Sequence, residues 1–186
     1  HIEPGTLFTG IVSHLDWLPT LLAAAGEPEI KQKLLNGHTA GSNTYKVHLD
    51  GYNMLDYWTS KTDKSPRQEF FYFSDDGDLT ALRFDNWKLV FIEQRCPGTL
   101  QVWAEPYTVL RCPKLYNLLT DPYERADITS NTYYDWYLDR CYLILPAQPF
   151  VGQLLETFKE FPPRQKAASF TVGQVMEKIS APIGGA

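Results

Sequence analysis

Leu79-Thr80-Ala81-Leu82-Arg83-Phe84 and Trp87-Lys88-Leu89-Val90-Phe91-Ile92 are two apolar runs separated only by Asp85-Asn86. Two turn-forming residues between such runs predict a β-hairpin. Upstream, Phe70 to Phe73 reads as an aromatic strand, and downstream Lys114 to Leu119 reads as a fourth, closed by Asp121-Pro122. Three short segments flank this β-rich middle on the N-terminal side. Leu7 to Val12 is β-branched and apolar enough for a strand. Asp16 is placed as a helix N-cap with Pro19 in the first turn, where its missing N–H costs little, and Gly26 as the stop. Pro28 opens a second helix with Ile30, Leu34 and Leu35 on one face, ended by Asn36-Gly37, and Met54, Leu55 and Trp58 mark a third.

The last third is helical in pattern. One helix is expected from about Asn131 or Thr132 to Leu145, interrupted by Pro146 and Pro149. Val151, Leu154, Leu155, Phe158 and Phe161 form the stripe of the next, ended by Pro162-Pro163. Thr171 with Gln174 resembles a capping box, with Val172, Val175, Met176 and Ile179 as the apolar face of a final helix. Residues 38–53, 61–67 and 93–113 read as loops. Helices, then antiparallel strands, then helices is an α+β order, a small sheet of about four strands packed with helices. The chain divides at about residue 60, because the first helices match the later sheet poorly and suit a larger domain.

Bulk properties remove several function classes. The formal net charge is −5, and Lys and Arg are scattered, so no basic stripe offers itself to nucleic acid. The most apolar stretch, Tyr142 to Val151, is broken by two prolines and too short to span a bilayer. The three cysteines, Cys96, Cys112 and Cys141, lack zinc-site spacing. An oxidising compartment would permit a disulfide between Cys96 and Cys112, which bracket a loop; free thiols are the alternative. No nucleophile elbow, phosphate loop or dinucleotide fingerprint is present.

Three stretches resemble one family, the sulfatases. The first is Ser13-His14-Leu15-Asp16-Trp17-Leu18-Pro19-Thr20-Leu21, followed by Ala25-Gly26. The second is Asp50-Gly51-Tyr52-Asn53 with Ser65-Pro66-Arg67 ahead of the aromatic strand. The third is Leu115-Tyr116-Asn117-Leu118-Leu119-Thr120-Asp121-Pro122-Tyr123-Glu124. They occur in the family's order and span most of residues 1–125, and His1-Ile2-Glu3-Pro4-Gly5 fits the family segment just before them.

The resemblance implies the C-terminal portion of a sulfate-ester hydrolase of arylsulfatase type, within the alkaline-phosphatase superfamily. Such enzymes use a formylglycine made from Cys in a C-x-[PA]-x-R motif and a metal, usually calcium, both upstream of the segments matched here. None of the three cysteines stands in that motif, since Leu100, Tyr116 and Leu145 occupy the fourth positions after them instead of Arg. The resemblance therefore assigns this chain no catalytic and no metal-binding residue. It implies the N-terminal catalytic part of the same protein as partner, a sulfate ester as the intact enzyme's substrate, and a compartment the sequence leaves open, with periplasm or secretion compatible. Helices over residues 16–35 without the rest of the large domain would expose an apolar face and favour homo-oligomers.

Two alternatives stand beside it, a related phosphate or phosphonate ester hydrolase and a free-standing binding or structural module. Candidate functional residues are few. The loop from Arg95 to Arg111 carries Arg95, Trp103, Glu105 and Tyr107. Arg95, Trp103 and Glu105 are candidates for a substrate-cleft wall; the alternative is a surface loop packing its Trp on the sheet. Ser74-Asp75-Asp76-Gly77 places paired carboxylates at a strand end, where a hard cation is conceivable, but the Asp- and Gly-rich composition reads as a turn.

Overall fold

A computed structural model describes residues 2–96 and 98–163. The helix expected over Val172 to Ile179 lies outside the described residues. The chain opens on an irregular segment and a 3-10 turn, His14–Asp16, leading directly into α1, Trp17–Ala24. Leu7 to Val12, expected as a strand, forms none. Next come α2, Ile30–Asn36, a small hairpin of β1, His38–Ala40, and β2, Asn43–Tyr45, and α3, Leu55–Trp58. The main sheet uses β3, Glu69–Phe73, β4, Leu79–Phe84, β5, Trp87–Glu93, then the one-turn α4, Gln101–Ala104, and β6, Thr108–Asn117. The chain continues through α5, Ala126–Thr129, α6, Tyr133–Leu138, a 3-10 turn at Cys141–Leu143, and α7, Ile144–Glu160.

The four-stranded sheet is an antiparallel meander in the order β3-β4-β5-β6. Phe84 pairs with Trp87 across Asp85-Asn86, and Asp85 takes the left-handed φ of +49° that a two-residue hairpin turn demands. The expected aromatic strand, hairpin and fourth strand are all present. Phe71, Leu82, Leu89 and Leu115 lie in register across the sheet, so they share one face. Leu82, Leu89 and Leu115 are wholly buried there beneath Tyr133, Tyr137 and Ala147 of the helical layer, with the rings of Phe84 and Phe150 6.0 Å apart. Edge strand β6 is secured by one side chain. The Tyr133 hydroxyl donates to the Leu115 carbonyl and accepts its N–H, both at 3.0 Å. Burial pushes the Tyr133 phenol up to about 12, so it keeps its proton and serves both groups.

Three further expectations need correction. Residues 38–53 are not all loop: Gly41 takes the left-handed φ of +64° in the turn of the β1–β2 hairpin. The connection after β5 is shorter than residues 93–113, because β6 begins at Thr108. The register slips between Val90 and Ile92, which pair with Lys114 and Val109; the bulge contains Pro113, which has no N–H to give the ladder. The helix expected from residue 131 to 145 breaks at Asp139-Arg140, not at the prolines. Pro146 falls in the first turn of α7, where no N–H is required, and Pro149 is tolerated inside it at the loss of one bond. Cys96, Cys112 and Cys141 are free thiols, the alternative the sequence left open beside a Cys96–Cys112 disulfide. Among the described residues no helix is long and apolar enough to cross a membrane.

Candidate functional site

The first two sequence motifs meet at one buried carboxylate. Asp16 is fully buried, and Arg67, 51 positions away, is 4% exposed. The Arg67 guanidinium donates to Asp16 from Nε at 2.9 Å and Nη2 at 2.6 Å. The backbone N–H groups of Ser13 and Tyr52 each reach the same carboxylate at 2.8 Å. Burial opposes the charge on Asp16, but the bonds from Arg67, Tyr52 and Ser13 together outweigh it and hold the carboxyl below its ordinary value. Arg67 also donates to the Asp50 and Glu69 carbonyls, which fastens the 50–52 segment and the start of β3 to the same point. Asp16 stands at the N-cap position of α1, but its side chain makes no capping bond to that helix. Its side chain closes a capping box with Ser13 on the 3-10 turn and reaches across to Arg67. Thr20 completes the joint, donating to the Asp16 carbonyl at 2.6 Å and accepting from the Met54 N–H at 2.9 Å.

A cleft of about 370 Å³ opens beside this joint, between α7, the edge strand β3 and the 48–52 segment. Phe70, Phe71, Phe73 and Leu154 give it an apolar wall, and Lys31, His48, Asp50 and Glu69 supply polar groups. Tyr52 donates to Glu69 at 2.6 Å, and His48 Nδ1 lies 3.1 Å from Asp50 Oδ1. Burial together with the Glu69 bond raises the Tyr52 phenol, so it stays protonated and donating. Lys31 donates to the Gly51 carbonyl at 3.1 Å and sits 4.8 Å from the centroid of the Tyr52 ring. Burial lowers its pKa from the ordinary lysine value. Sequence reasoning missed this cleft; its one available signal was the grouping of His48, Asp50 and Tyr52 inside the second motif.

The three cleft-wall candidates do not form one cluster. Arg95 follows β5 and ion-pairs with Glu93 at 2.9 Å and with Asp127 of α5. Lys114 joins the same two carboxylates at 2.6 and 2.8 Å, and the Asp127 side chain is only 4% exposed. Trp103 lies on α4 with 79% of its surface in solvent, so it does not pack on the sheet. Glu105 is exposed, and its backbone carbonyl accepts from the Gln94 side chain, which also donates to the Val102 carbonyl at 2.8 Å. Gln94, which sequence reasoning passed over, therefore holds the one-turn helix that presents Trp103. None of the three candidates lines the cleft beside Asp16 and Arg67.

Residues 74–78 form the turn between β3 and β4, as their composition suggested. Ser74 takes the N–H of Gly77 on its carbonyl at 3.0 Å and that of Asp78 on its hydroxyl at 3.1 Å. The third motif is turn and cap chemistry as well. The Asp121 carboxylate accepts the N–H groups of Arg125 at 3.0 Å and Ala126 at 2.8 Å, where α5 begins. Glu124, at φ +54°, takes Lys88 of β5 at 2.7 Å and ties that turn back to the sheet.

The architecture is that of an α+β chain whose four-stranded antiparallel meander is packed beneath helices. Residues 65–147 match the family model described as the C-terminal region of aryl-sulfatase. Among solved structures, the PsFucS1 sulfatase from Pseudoalteromonas sp. aligns at 24% identity and a TM-score of 0.45, covering 62% of this chain and 22% of that one. The chain thus spans about a fifth of that structure's length. Comparison with curated proteins finds no match.

Proposed function

We propose that this chain is the C-terminal part of an enzyme that hydrolyses sulfate esters, and that its own contribution is structural, with one exposed loop lent to the substrate cleft. The observation that carries the reading is the match of residues 65–147 to the aryl-sulfatase C-terminal region, with the two upstream motifs converging on one buried ion pair. On this reading residues 1–60 belong to the large catalytic domain and residues 61–186 form the C-terminal subdomain, with Asp16 and Arg67 as the joint between them. The rest of the large domain then covers the face of α1 that carries Leu18 and Leu21, which are 51% and 60% exposed. In the isolated chain that same face would drive self-association.

The nucleophile and the metal belong to the partner portion. Calcium takes six or more oxygen ligands. Among the described residues no group of three or more His, Cys, Asp or Glu side chains is placed to hold a metal ion. Trp103 and Arg95 are the side chains through which the loop would touch an aryl or sugar sulfate, with Glu105 at its rim.

The test is hydrolysis of 4-nitrophenyl sulfate in the presence of calcium. The chain alone should show no turnover, and the longer protein that carries it should. In that longer protein, Trp103→Ala should raise KM several-fold with its unfolding temperature unchanged. Turnover by the chain alone that vanishes in Asp75→Ala would overturn the reading.

A further inference from the structure

The cleft beside the Asp16–Arg67 joint has a charge arrangement that its folding role leaves unexplained. Lys31 is half-buried and spends one of its three N–H donors on the Gly51 carbonyl. Asp50 and Glu69 line the same cleft, and among the described residues neither closes an ion pair with Lys31. Each carboxylate is already bonded through one oxygen, Asp50 to His48 and Glu69 to Tyr52, which orients it. An ammonium and two oriented carboxylates therefore face one cavity across a gap, beside an aromatic wall made by Phe70, Phe71 and Phe73.

A gap between fixed opposite charges is filled best by a group that donates on one side and accepts on the other. A vicinal diol does both, giving a hydroxyl hydrogen to a carboxylate and taking one from an ammonium. The apolar C–H face of a sugar ring also matches a phenylalanine wall, which bare water does not. A free anion suits the site poorly, since Asp50 and Glu69 line it and Arg67, the other cation of the lining besides Lys31, is taken up by Asp16. The volume, about 370 Å³, lies within the range of small-molecule sites.

We propose that this cleft is a binding site for a neutral pyranose ring, with Lys31 and Glu69 bridging adjacent hydroxyls and Phe73, on the same strand face as Glu69, under the ring. The proposal does not depend on the sulfate-ester chemistry, because it concerns a separate cavity and an uncharged ligand.

The experiment is a titration of the full chain with methyl glucoside and methyl galactoside, followed by amide chemical shifts. Cyclohexanol, which has the ring but no diol, is the control. Saturable shifts are expected at Lys31, Tyr52 and Glu69 with a dissociation constant on the order of 1 mM. Lys31→Met and Glu69→Gln should each weaken binding about tenfold, while Leu119→Ala, exposed and away from this cleft, should leave it unchanged. Unfolding temperatures of all three variants guard against loss of fold, and Lys31→Gln serves if Lys31→Met fails to fold. No saturation with either glycoside, or equal shifts with cyclohexanol, would overturn the proposal. Its failure would leave the hydrolysis assay untouched, and failure of that assay would leave this titration untouched.

Discussion

Arg67→Met removes the guanidinium from the joint and leaves Asp16 buried with a charge it cannot share. Asp16 accepts bonds from two Arg67 nitrogens, from Ser13 and from Tyr52, and has no exposure to water. The variant keeps the two backbone donors and loses the cation bonded to the carboxylate. Breaking one side of a buried pair costs about 3–5 kcal/mol. Loss of the Arg67 bonds to the Asp50 and Glu69 carbonyls adds to this. For a domain of this size each kcal/mol lowers the unfolding temperature by about 2–4 °C, so a fall of roughly 6–20 °C is expected. Thermal and urea unfolding followed by circular dichroism would measure it. The double variant Asp16→Asn with Arg67→Met relieves the stranded charge and should recover about 1–2 kcal/mol relative to Arg67→Met alone. If Arg67→Met costs less than about 1 kcal/mol, or the double variant is the worse of the two, the joint does not hold the fold in the way argued here.

Three other outcomes follow from the same geometry. A Cβ at Gly51 would stand 2.0 Å from the Leu15 carbonyl oxygen and 3.1 Å from Pro19, so Gly51→Ala must push backbone apart and should lose about 2–3 kcal/mol in urea unfolding. Because the folded pKa of Asp16 lies below 3.8, its contribution is complete above pH 3.8 and is lost as the pH falls through that lower value; the stability gap between wild type and Asp16→Asn should therefore narrow below about pH 4. Asp121→Ala strips two N–H groups at the start of α5 of their acceptors and should cost about 1 kcal/mol, read from the same denaturation curves, with Asp121→Asn, which keeps one acceptor oxygen, recovering about half of it.

The sheet was legible because its signals are local. Alternating apolar residues and Asp85-Asn86 fix the β4–β5 hairpin within a dozen positions, and Gly26 and Gly37, at φ +99° and +97°, end α1 and α2 where the sequence places their stops. The β1–β2 hairpin was missed because its strands bury almost nothing, so no apolar alternation announces it. The prolines of α7 misled for a related reason. A proline in the first turn of a helix and one that breaks it look the same until the start of the helix is known. At the candidate site, Arg95, Trp103 and Glu105 could be named from residue type, but not the ion pairs that restrain Arg95 or the Gln94 bonds that hold α4. The cleft at Lys31 and Glu69 was beyond reach from sequence, because its walls come from α2, β3 and α7, which only the folded chain brings together.

The Asp16–Arg67 contact also restricts where this polypeptide can be cut. Any excision that starts between positions 17 and 66, including one at the change of character near residue 60, discards the carboxylate and keeps the guanidinium in a pocket shaped to receive it. The excised sheet would retain its own hairpins and its helical cover, and would still carry a stranded cation and an unpinned first strand. A soluble, ordered piece of this protein therefore needs to begin before Ser13, even where the sheet alone is the object of interest.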